Sequence, residues 1–291
     1  MMKKGICVVF DVSGTLLEPA VVIRDISSGR MAGNIELDSG KQISGLEFLS
    51  TNPQYALAAL DINPKVISDE LKHYQKISTF IKENSIRIYS LYSEGDLSEE
   101  QIHAAILSDN TVTIRDYKEA INTLKNTYEI EWLLTLTILV DVAAKRIPYI
   151  GVVGGRAFPK IQELIKKLKD IDITVYLASG EQRNALERVG ERIGVDKNFI
   201  YSNANTDEKG RIIECLKREF DLVIMVGNSL NDMLAMKKAQ IGILNRQYSG
   251  FKTDERLLEV SDFTVSAIEE LILLIPKIVT CLTYSDRERK R

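Results

Sequence analysis

An apolar run near the start of the chain, Ile6-Cys7-Val8-Val9-Phe10, passes directly into Asp11-Val12-Ser13-Gly14-Thr15. A continuous apolar run of this length, without alternating polar residues, is typical of a strand buried on both faces of a parallel sheet. The carboxyl ends of such strands form a crevice at one edge of the sheet, where ligands bind. The abrupt change from apolar to polar residues therefore predicts that Asp11 lies in a crevice of this kind.

Three further polar signatures follow in the second half of the chain. Ser179-Gly180 comes after the strand-like run 173–178, and Gly227-Asn228-Ser229-Leu230-Asn231-Asp232 comes after the next such run. Lys209 lies in the first turn of a segment with helical apolar spacing. Because the strand ends of an open α/β sheet converge, we expect these groups to meet Asp11 in one site.

The second half of the chain alternates between strand-like and helix-like segments. The predicted strands are 173–178, 222–226, 241–244 and 263–265, and the predicted helices follow Pro159 and cover 181–193, 207–220, 232–239 and 267–274. Such alternation predicts a mainly parallel sheet that helices cover on both faces.

The segment between the first strand and this alternation has a different pattern. It contains a hairpin over 20–43 with turns at Ser27-Ser28-Gly29 and Asp38-Ser39-Gly40, helical segments at 54–83, 98–107 and 114–126, and strands at 131–142 and 147–153. We therefore predict two domains in an α/β protein. Residues 1–18 and 151–291 form a Rossmann-like core with a parallel sheet, and residues 19–150 form an inserted α+β cap domain.

Composition limits the kinds of molecule that the protein is expected to bind. The net charge of −3 gives no reason to expect a nucleic-acid partner. The three cysteines are isolated in the sequence, and an odd number argues against a disulfide framework, so we expect a cytoplasmic protein. The apolar stretch 132–140 is far shorter than the roughly 20 residues that span a bilayer, so no membrane partner is expected. The oligomeric state stays open.

In order and spacing, the four signatures resemble the motifs of the haloacid-dehalogenase superfamily. The first motif of that superfamily is an Asp followed, after two residues, by Gly-Thr, which matches Asp11 and Gly14-Thr15. The segments 156–180 and 206–243 look most like the phosphorylation domain of P-type ATPases. This resemblance implies a Mg²⁺-dependent phosphohydrolase that acts on a small-molecule phosphate ester or a phosphoprotein.

The resemblance also implies a role for each motif residue. Asp11 would attack phosphorus and form an aspartyl phosphate. Ser179-Gly180 and Thr15 would bind the phosphate oxygens, and the helix that follows Gly180 would favour the anion. Lys209 would neutralise charge on both Asp11 and the phosphoryl group.

The implied magnesium site combines two loops. Its ligands would be a carboxylate oxygen of Asp11, the backbone carbonyl of Ser13, Asn228 and Asp232, with water completing the octahedron. Asn228 stands where the superfamily normally has an aspartate ligand, so the affinity for Mg²⁺ should be lower.

Ser13 marks a second departure from the superfamily pattern. Phosphatases of the superfamily usually carry an aspartate at this position as the general acid and base. A serine hydroxyl cannot supply a proton near neutral pH as a carboxylic acid can, so we expect turnover to be slow. P-type ATPases also lack this aspartate, and their phosphoenzyme is correspondingly long-lived.

Alternative functions stay open on the sequence. A catalytically degenerate relative would bind a phosphorylated ligand or a partner protein without turnover. Ser13 and Asn228 favour this alternative, because both depart from the superfamily pattern. A dehalogenase is a third possibility, against which the intact Gly14-Thr15 pair and the ATPase-like acidic loop argue. The inserted segment 19–150 stands at the point in the sequence where P-type ATPases carry their nucleotide domain, but it has no nucleotide-binding signature. Only this position in the sequence suggests ATP as a substrate.

Overall fold

The structure is a computed structural model that describes residues 5–33, 35–36, 42–43, 45–93, 96–248 and 253–289. The chain divides into two compact units. The core unit consists of Met1–Glu18 and Ala157–Arg291, and the inserted unit consists of Pro19–Arg156. No helix in the described part of the chain is long and apolar enough to cross a membrane.

The strands and helices of the described residues are numbered in chain order. The strands are β1 (Ile6–Phe10), β2 (Leu17–Asp25), β3 (Met31–Ala32), β4 (Ile35–Glu36), β5 (Gln42–Ile43), β6 (Tyr55–Leu60), β7 (Ile88–Ser93), β8 (Trp132–Asp141), β9 (Arg146–Ala157), β10 (Ile173–Ala178), β11 (Ile200–Tyr201), β12 (Leu222–Gly227), β13 (Ile241–Asn245) and β14 (Phe263–Val265). The helices are α1 (Gly45–Ser50), α2 (Pro64–Asp69), α3 (Ile77–Glu83), α4 (Glu99–Ser108), α5 (Ile114–Thr127), α6 (Ile161–Asp170), α7 (Arg183–Ile193), α8 (Thr206–Glu219), α9 (Met233–Lys238), α10 (Glu255–Val260) and α11 (Ile268–Arg289).

The core unit is built on a parallel sheet with strand order β11-β10-β1-β12-β13-β14. The central strand β1 is buried on both faces, since Cys7, Val8, Val9 and Phe10 have no exposed surface. This explains why its sequence is apolar without alternation. The chain adds β10 and β11 on one side of β1 and then β12, β13 and β14 on the other. The order therefore reverses beside β1, where open α/β sheets bind their ligands.

The helices of the core unit cover this sheet as predicted, with differences at their ends. α8 places Ile212, Ile213 and Leu216 against Cys7 and Val9. α11 continues to Arg289, beyond the predicted end at 274. The predicted helix 232–239 is shorter, because Leu230–Asp232 forms a 3₁₀ turn before α9 begins. The parallel α/β core that the sequence predicts is confirmed.

The inserted unit has a sheet with strand order β3-β2-β9-β8-β6-β7. Its pairings β2–β3, β6–β7, β6–β8 and β8–β9 are antiparallel. β9 remains paired with β8 as far as Gly155, which pairs with Trp132. The predicted boundary at 150 was therefore too early, because residues 151–156 belong to this sheet and not to the core unit.

The predicted helical segment 54–83 was wrong over its first part. Tyr-Ala-Leu-Ala-Ala-Leu forms β6, with α2 and α3 following it. Alanine and leucine are strong helix formers, but β6 pairs with β8 on one side and with β7 on the other, and Ala56 and Ala58 are buried in the core. Tertiary packing therefore overrides the local preference.

The predicted hairpin begins earlier than expected, because β2 starts at Leu17 and pairs with β3. Its turn is held by Asp25, whose Oδ1 accepts hydrogen bonds from the backbone of Ser27 and Ser28. Gly29 follows with a φ of 71°. The second predicted turn, Asp38-Ser39-Gly40, lies outside the described residues.

Candidate active site

The register of the core sheet aligns the loops that carry the motif residues. Phe10, the last residue of β1, pairs with Leu177 of β10 and with Val226 of β12. Asp11 continues the ladder by donating its backbone N–H to the carbonyl of Val226, at 2.9 Å. The residues that follow β1, β10 and β12 therefore leave the sheet at the same level.

The loop after β1 is tightly wound. The carbonyl of Val12 accepts hydrogen bonds from the backbone N–H groups of Thr15, Leu16 and Leu17, at 2.9–3.3 Å. Gly14 has a φ of 83°, which disfavours any residue with a Cβ. A Cβ at this position would also overlap the side-chain amide of Asn228. The glycine of the first motif thus allows the loop after β12 to approach the loop after β1.

The centre of the site is a buried ionic cluster. Lys209 of α8 has no exposed surface, and its Nζ donates to Asp11 Oδ1 at 2.6 Å and to Asp232 Oδ1 at 2.7 Å. Thr15 Oγ1 donates to the other oxygen of Asp11, at 3.3 Å. Lysine is rarely buried unless it is paired, and here two carboxylates hold it. The structure therefore joins residues that the sequence separates by up to 221 positions, from Asp11 to Asp232.

Asp232 also organises its own loop. Its Oδ2 accepts hydrogen bonds from the backbone N–H groups of Asn228 and Ser229, at 3.0 and 3.1 Å. With Lys209 on Oδ1, both oxygens of this carboxylate are engaged. A Cβ on Gly227 would lie 2.5 Å from the Cβ of Asp232, so the close fold of the loop requires glycine there. Asp232 is thus placed to hold Lys209 and the loop, rather than to offer a free oxygen to a metal ion.

The charges of the cluster are unbalanced, because one ammonium faces two carboxylates. Burial, followed by the charge of Asp232, raises the pKa of Asp11 from 3.8 to about 7, although Lys209 acts in the opposite direction. Burial lowers the pKa of Lys209, but the charges of Asp11 and Asp232 outweigh this effect and its pKa lies above the ordinary value. Lys209 is therefore protonated at neutral pH, while Asp11 shares its site with an excess of negative charge.

The side-chain amide of Asn228 faces the same oxygens that a metal ion would use. One end of the amide lies 3.2 Å from Asp11 Oδ2, 3.1 Å from the carbonyl of Ser13 and 3.1 Å from Thr15 Oγ1. With its nitrogen at this end, the two N–H groups of Asn228 are shared among these three oxygens. With its oxygen there, Thr15 donates its single hydroxyl proton to Asn228, at 3.1 Å, instead of to Asp11, and three oxygens from Asp11, Ser13 and Asn228 converge.

These residues fit a Mg²⁺ ion in the second orientation. Mg²⁺ binds oxygen ligands, commonly one or two carboxylates with several waters, and Asp11, the Ser13 carbonyl and Asn228 supply one carboxylate and two neutral oxygens. The uncompensated charge of the cluster also favours a cation. No group of three or more His, Cys, Asp or Glu side chains that could hold a metal ion occurs within the described residues. Any ion here would therefore depend on the carbonyl and the amide.

The predicted phosphate-binding residues lie at the end of the neighbouring strand. Ser179 is buried, its backbone N–H donates to the carbonyl of Tyr201, and its carbonyl accepts from Ala204. Gly180 is exposed. Their link to the cluster is indirect and runs through Glu181, whose Oε1 accepts a hydrogen bond from Ser13 Oγ at 3.1 Å.

Glu181 and Asn245 contact motif residues but were not predicted from the sequence. Glu181 directly follows Ser179-Gly180, so its position after a buried strand was the available signal. Asn245 is the last residue of β13, is buried, and donates from Nδ2 to the carbonyl of Thr15 at 2.9 Å. A buried asparagine at the carboxyl end of a predicted strand could have indicated this role, but the contact joins residues far apart in the chain.

Sequence comparison relates this chain to a family of hydrolases and to P-type ATPases. A sequence profile described as haloacid dehalogenase-like hydrolase matches residues 7–240. The chain is 27% identical, over 274 residues, to the soluble P-type ATPase-like phosphatase of Methanocaldococcus jannaschii, and the match covers 94% of each protein. It is 30% identical to the copper-exporting P-type ATPase of Staphylococcus aureus over 118 residues, which are 40% of this chain and 14% of the pump.

Among solved structures, the catalytic domain of the CPx-ATPase CopB-B is similar to this chain with a TM-score of 0.48. The sequences are 14% identical, and the match covers 94% of this chain and 89% of that domain.

Proposed function

Because the chain belongs to the haloacid dehalogenase-like hydrolases, we propose that it is a phosphohydrolase that works through an aspartyl phosphate on Asp11. The observation that carries this proposal is the buried contact between Asp11 and Lys209, at 2.6 Å. A carboxylate in this position is shielded from bulk water and oriented by Lys209, as a nucleophile requires.

The proposed reaction has two displacements. In the first, a carboxylate oxygen of Asp11 attacks phosphorus, a bond to phosphorus forms, and the bond to the leaving group breaks. In the second, water attacks the aspartyl phosphate and the carboxylate of Asp11 is regenerated. Lys209 neutralises negative charge during both steps, and Asp232 holds the ammonium in place from its other side. Ser179 and Thr15 are proposed to donate hydrogen bonds to the phosphate oxygens.

We propose Mg²⁺ as the cofactor, held by Asp11, the Ser13 carbonyl and Asn228. When bound, it would offset the second carboxylate of the cluster and keep Asp11 ionised near neutral pH. Asp232, which the sequence suggested as a further ligand, would support the site through the loop that it folds. The substrate class that we propose is a small-molecule phosphate ester, with a phosphoprotein as the alternative.

The inserted unit is proposed to act as the cap that selects the substrate. Its place between the two sequence segments of the core unit supports this role. We propose a cytoplasmic location, which agrees with the fact that Cys7, Cys215 and Cys281 are all free thiols.

A second candidate is a binding protein without turnover, and the position of Asn228 supports it. With the amide nitrogen toward Asp11 and Ser13, Asn228 satisfies the acceptors that a metal ion would otherwise occupy. Such a site would retain the phosphate-binding groups but would have neither the metal ion nor a free nucleophilic oxygen.

The test is the release of phosphate from para-nitrophenyl phosphate with and without Mg²⁺, by the wild type and by Asp11→Asn. Asp207→Asn, which removes an exposed carboxylate from α8, is the matched control. Release that needs both Mg²⁺ and Asp11, and that Asp207→Asn retains, supports the phosphatase. No release by the wild type, together with measurable binding of inorganic phosphate, supports the binding protein.

A further inference from the structure

The hydrogen bond between Ser13 and Glu181 joins the two loops that follow β1 and β10. Ser13 Oγ donates to Glu181 Oε1 at 3.1 Å. Ser13 also lies beside the nucleophile, because its carbonyl and Asp11 Oδ2 contact the same end of the Asn228 side chain, at 3.1 and 3.2 Å. Glu181 is therefore hydrogen-bonded to the side chain of a residue whose carbonyl lies beside Asp11 Oδ2.

Hydrolysis of an aspartyl phosphate requires a group that takes a proton from the attacking water. A serine hydroxyl alone is a poor base near neutral pH, because its conjugate acid is far too strong. A hydroxyl that donates to a carboxylate can receive one proton while it passes on another. Ser13 makes such a hydrogen bond, and Glu181 is the carboxylate that accepts it.

We propose that Glu181 and Ser13 form a proton relay for the breakdown of the aspartyl phosphate, an inference that rests on the proposed function of Asp11. Water attacks phosphorus, and an oxygen–phosphorus bond forms. The bond between phosphorus and Asp11 breaks, and its electron pair returns to the carboxylate. The water proton moves to Ser13 Oγ, and the proton of Ser13 moves to Glu181 Oε1. Glu181 then releases this proton to the solvent, to which its side chain is partly exposed.

The main chain on both sides of Glu181 is held in place. Its backbone N–H donates to Ser179 Oγ at 3.4 Å, and its carbonyl accepts from the backbone of Asn203 at 2.9 Å. Its side chain is partly buried. A relay needs this kind of support, because the hydrogen bond between Ser13 and Glu181 must persist through each turnover. Glu181 acts through Ser13, so it is a positioning residue and does not itself touch phosphorus.

The test measures formation and decay of the phosphoenzyme separately, with ³²P-labelled acetyl phosphate as the probe. The acetate leaving group needs no proton, so Glu181→Gln should form the phosphoenzyme at the wild-type rate. Its decay should be about 100-fold slower, since general base catalysis contributes roughly this factor or more. The matched control is Glu187→Gln, which removes the same charge from α7, where Glu187 pairs with Arg183. This control should decay at the wild-type rate.

Two further variants separate a relay from a structural role. Ser13→Ala should slow decay to the same extent, and the double variant Ser13→Ala with Glu181→Gln should be no slower than either. Ser13→Asp in the Glu181→Gln background should restore rapid decay, because it places a carboxylate directly at the position of the hydroxyl.

Three outcomes would overturn the relay. Unchanged decay in Glu181→Gln overturns it and leaves the phosphohydrolase intact. Additive losses in the double variant, or no rescue by Ser13→Asp, also overturn it. If the wild type acquires no label that Asp11→Asn lacks, the proposed function fails and the relay fails with it.

Discussion

Two buried aspartates, one in each unit, are equally hidden from water but differ in what surrounds them. Asp11 in the core unit and Asp109 in the inserted unit are both 3% exposed. Asp109 accepts hydrogen bonds from the backbone N–H groups of Thr111, Val112 and Ile147, at 2.9–3.0 Å. Asp11 instead faces Lys209, which it shares with Asp232.

The difference separates a structural carboxylate from the one that we propose to be reactive. The neutral donors around Asp109 tie the segment after α4 to β9 and satisfy both of its oxygens. Around Asp11 the charges do not balance, because one ammonium is shared by two carboxylates. Active sites often keep such unbalanced charges because the reaction requires them, at a cost in stability.

The largest effect, on phosphate release, is expected when the carboxylate of Asp11 is replaced by an amide, and the same replacement at Asp109 is the comparison. Asp11→Asn should lower phosphate release by at least about 1000-fold, because no nucleophile remains, and the protein should stay folded. Asp109→Asn should retain activity per folded molecule but lose about 1–3 kcal/mol of unfolding free energy, since its amide group meets backbone donors. Kinetics combined with urea unfolding tests both variants. A large loss of activity in folded Asp109→Asn would remove the distinction between the two sites.

Lys209→Met should give the next largest effect. It leaves Asp11 and Asp232 buried without their shared cation, and breaking such a pair costs about 3–5 kcal/mol. Lys217→Met, on the same helix, removes only a hydrogen bond to the carbonyl of Lys238 and should cost about 1 kcal/mol. Urea unfolding of both variants at pH 7 measures the difference. Equal losses would mean that the buried cluster contributes no more than a surface contact.

The pH dependence of stability in metal-free protein should reveal the raised pKa of Asp11. Because the pKa of Asp11 is raised from 3.8 to about 7, the folded state binds this proton more tightly than the unfolded state. The resulting stabilisation is fully present below pH 4 and is lost as the pH rises through 7. Asp11→Asn should therefore gain stability relative to the wild type across this range, on the order of 2 kcal/mol. Urea unfolding with EDTA at pH 5 and pH 8 measures the gain. A constant difference between the two proteins would contradict it.

The smallest predicted effect concerns Asn228. Asn228→Asp places a second carboxylate oxygen beside Asp11 Oδ2 and the Ser13 carbonyl, and should tighten Mg²⁺ binding about tenfold. Asn231→Asp adds the same charge to the same loop, where the side chain instead accepts from Ser229 Oγ, and should change the affinity less. Isothermal titration calorimetry of both variants tests this. If Asn228→Asp binds Mg²⁺ no more tightly than the wild type, this loop is not the metal site.

Much of the core unit could be predicted from the sequence, because each strand is a continuous apolar run that ends in a polar motif. The inserted unit was harder to predict. Half-exposed strands such as β7, with Tyr89 and Tyr92, carry weaker patterns, and the alanines of β6 favour a helix locally. Membership of the haloacid dehalogenase-like hydrolases, which the motif order indicated, is confirmed.

The sequence by itself determined the strands of the core, the order of the motifs and the identity of the charged residues, since these depend on local pattern and spacing. Tertiary structure decided which of those groups touch. Only the folded chain shows that the two oxygens of Asp232 accept hydrogen bonds from Lys209 and from the backbone of its own loop. It also shows that the side chain of Asn228 lies against Asp11, and that Glu181 accepts a hydrogen bond from Ser13. These contacts join residues from different strand ends, and their geometry follows from sheet register and packing, which no local pattern encodes.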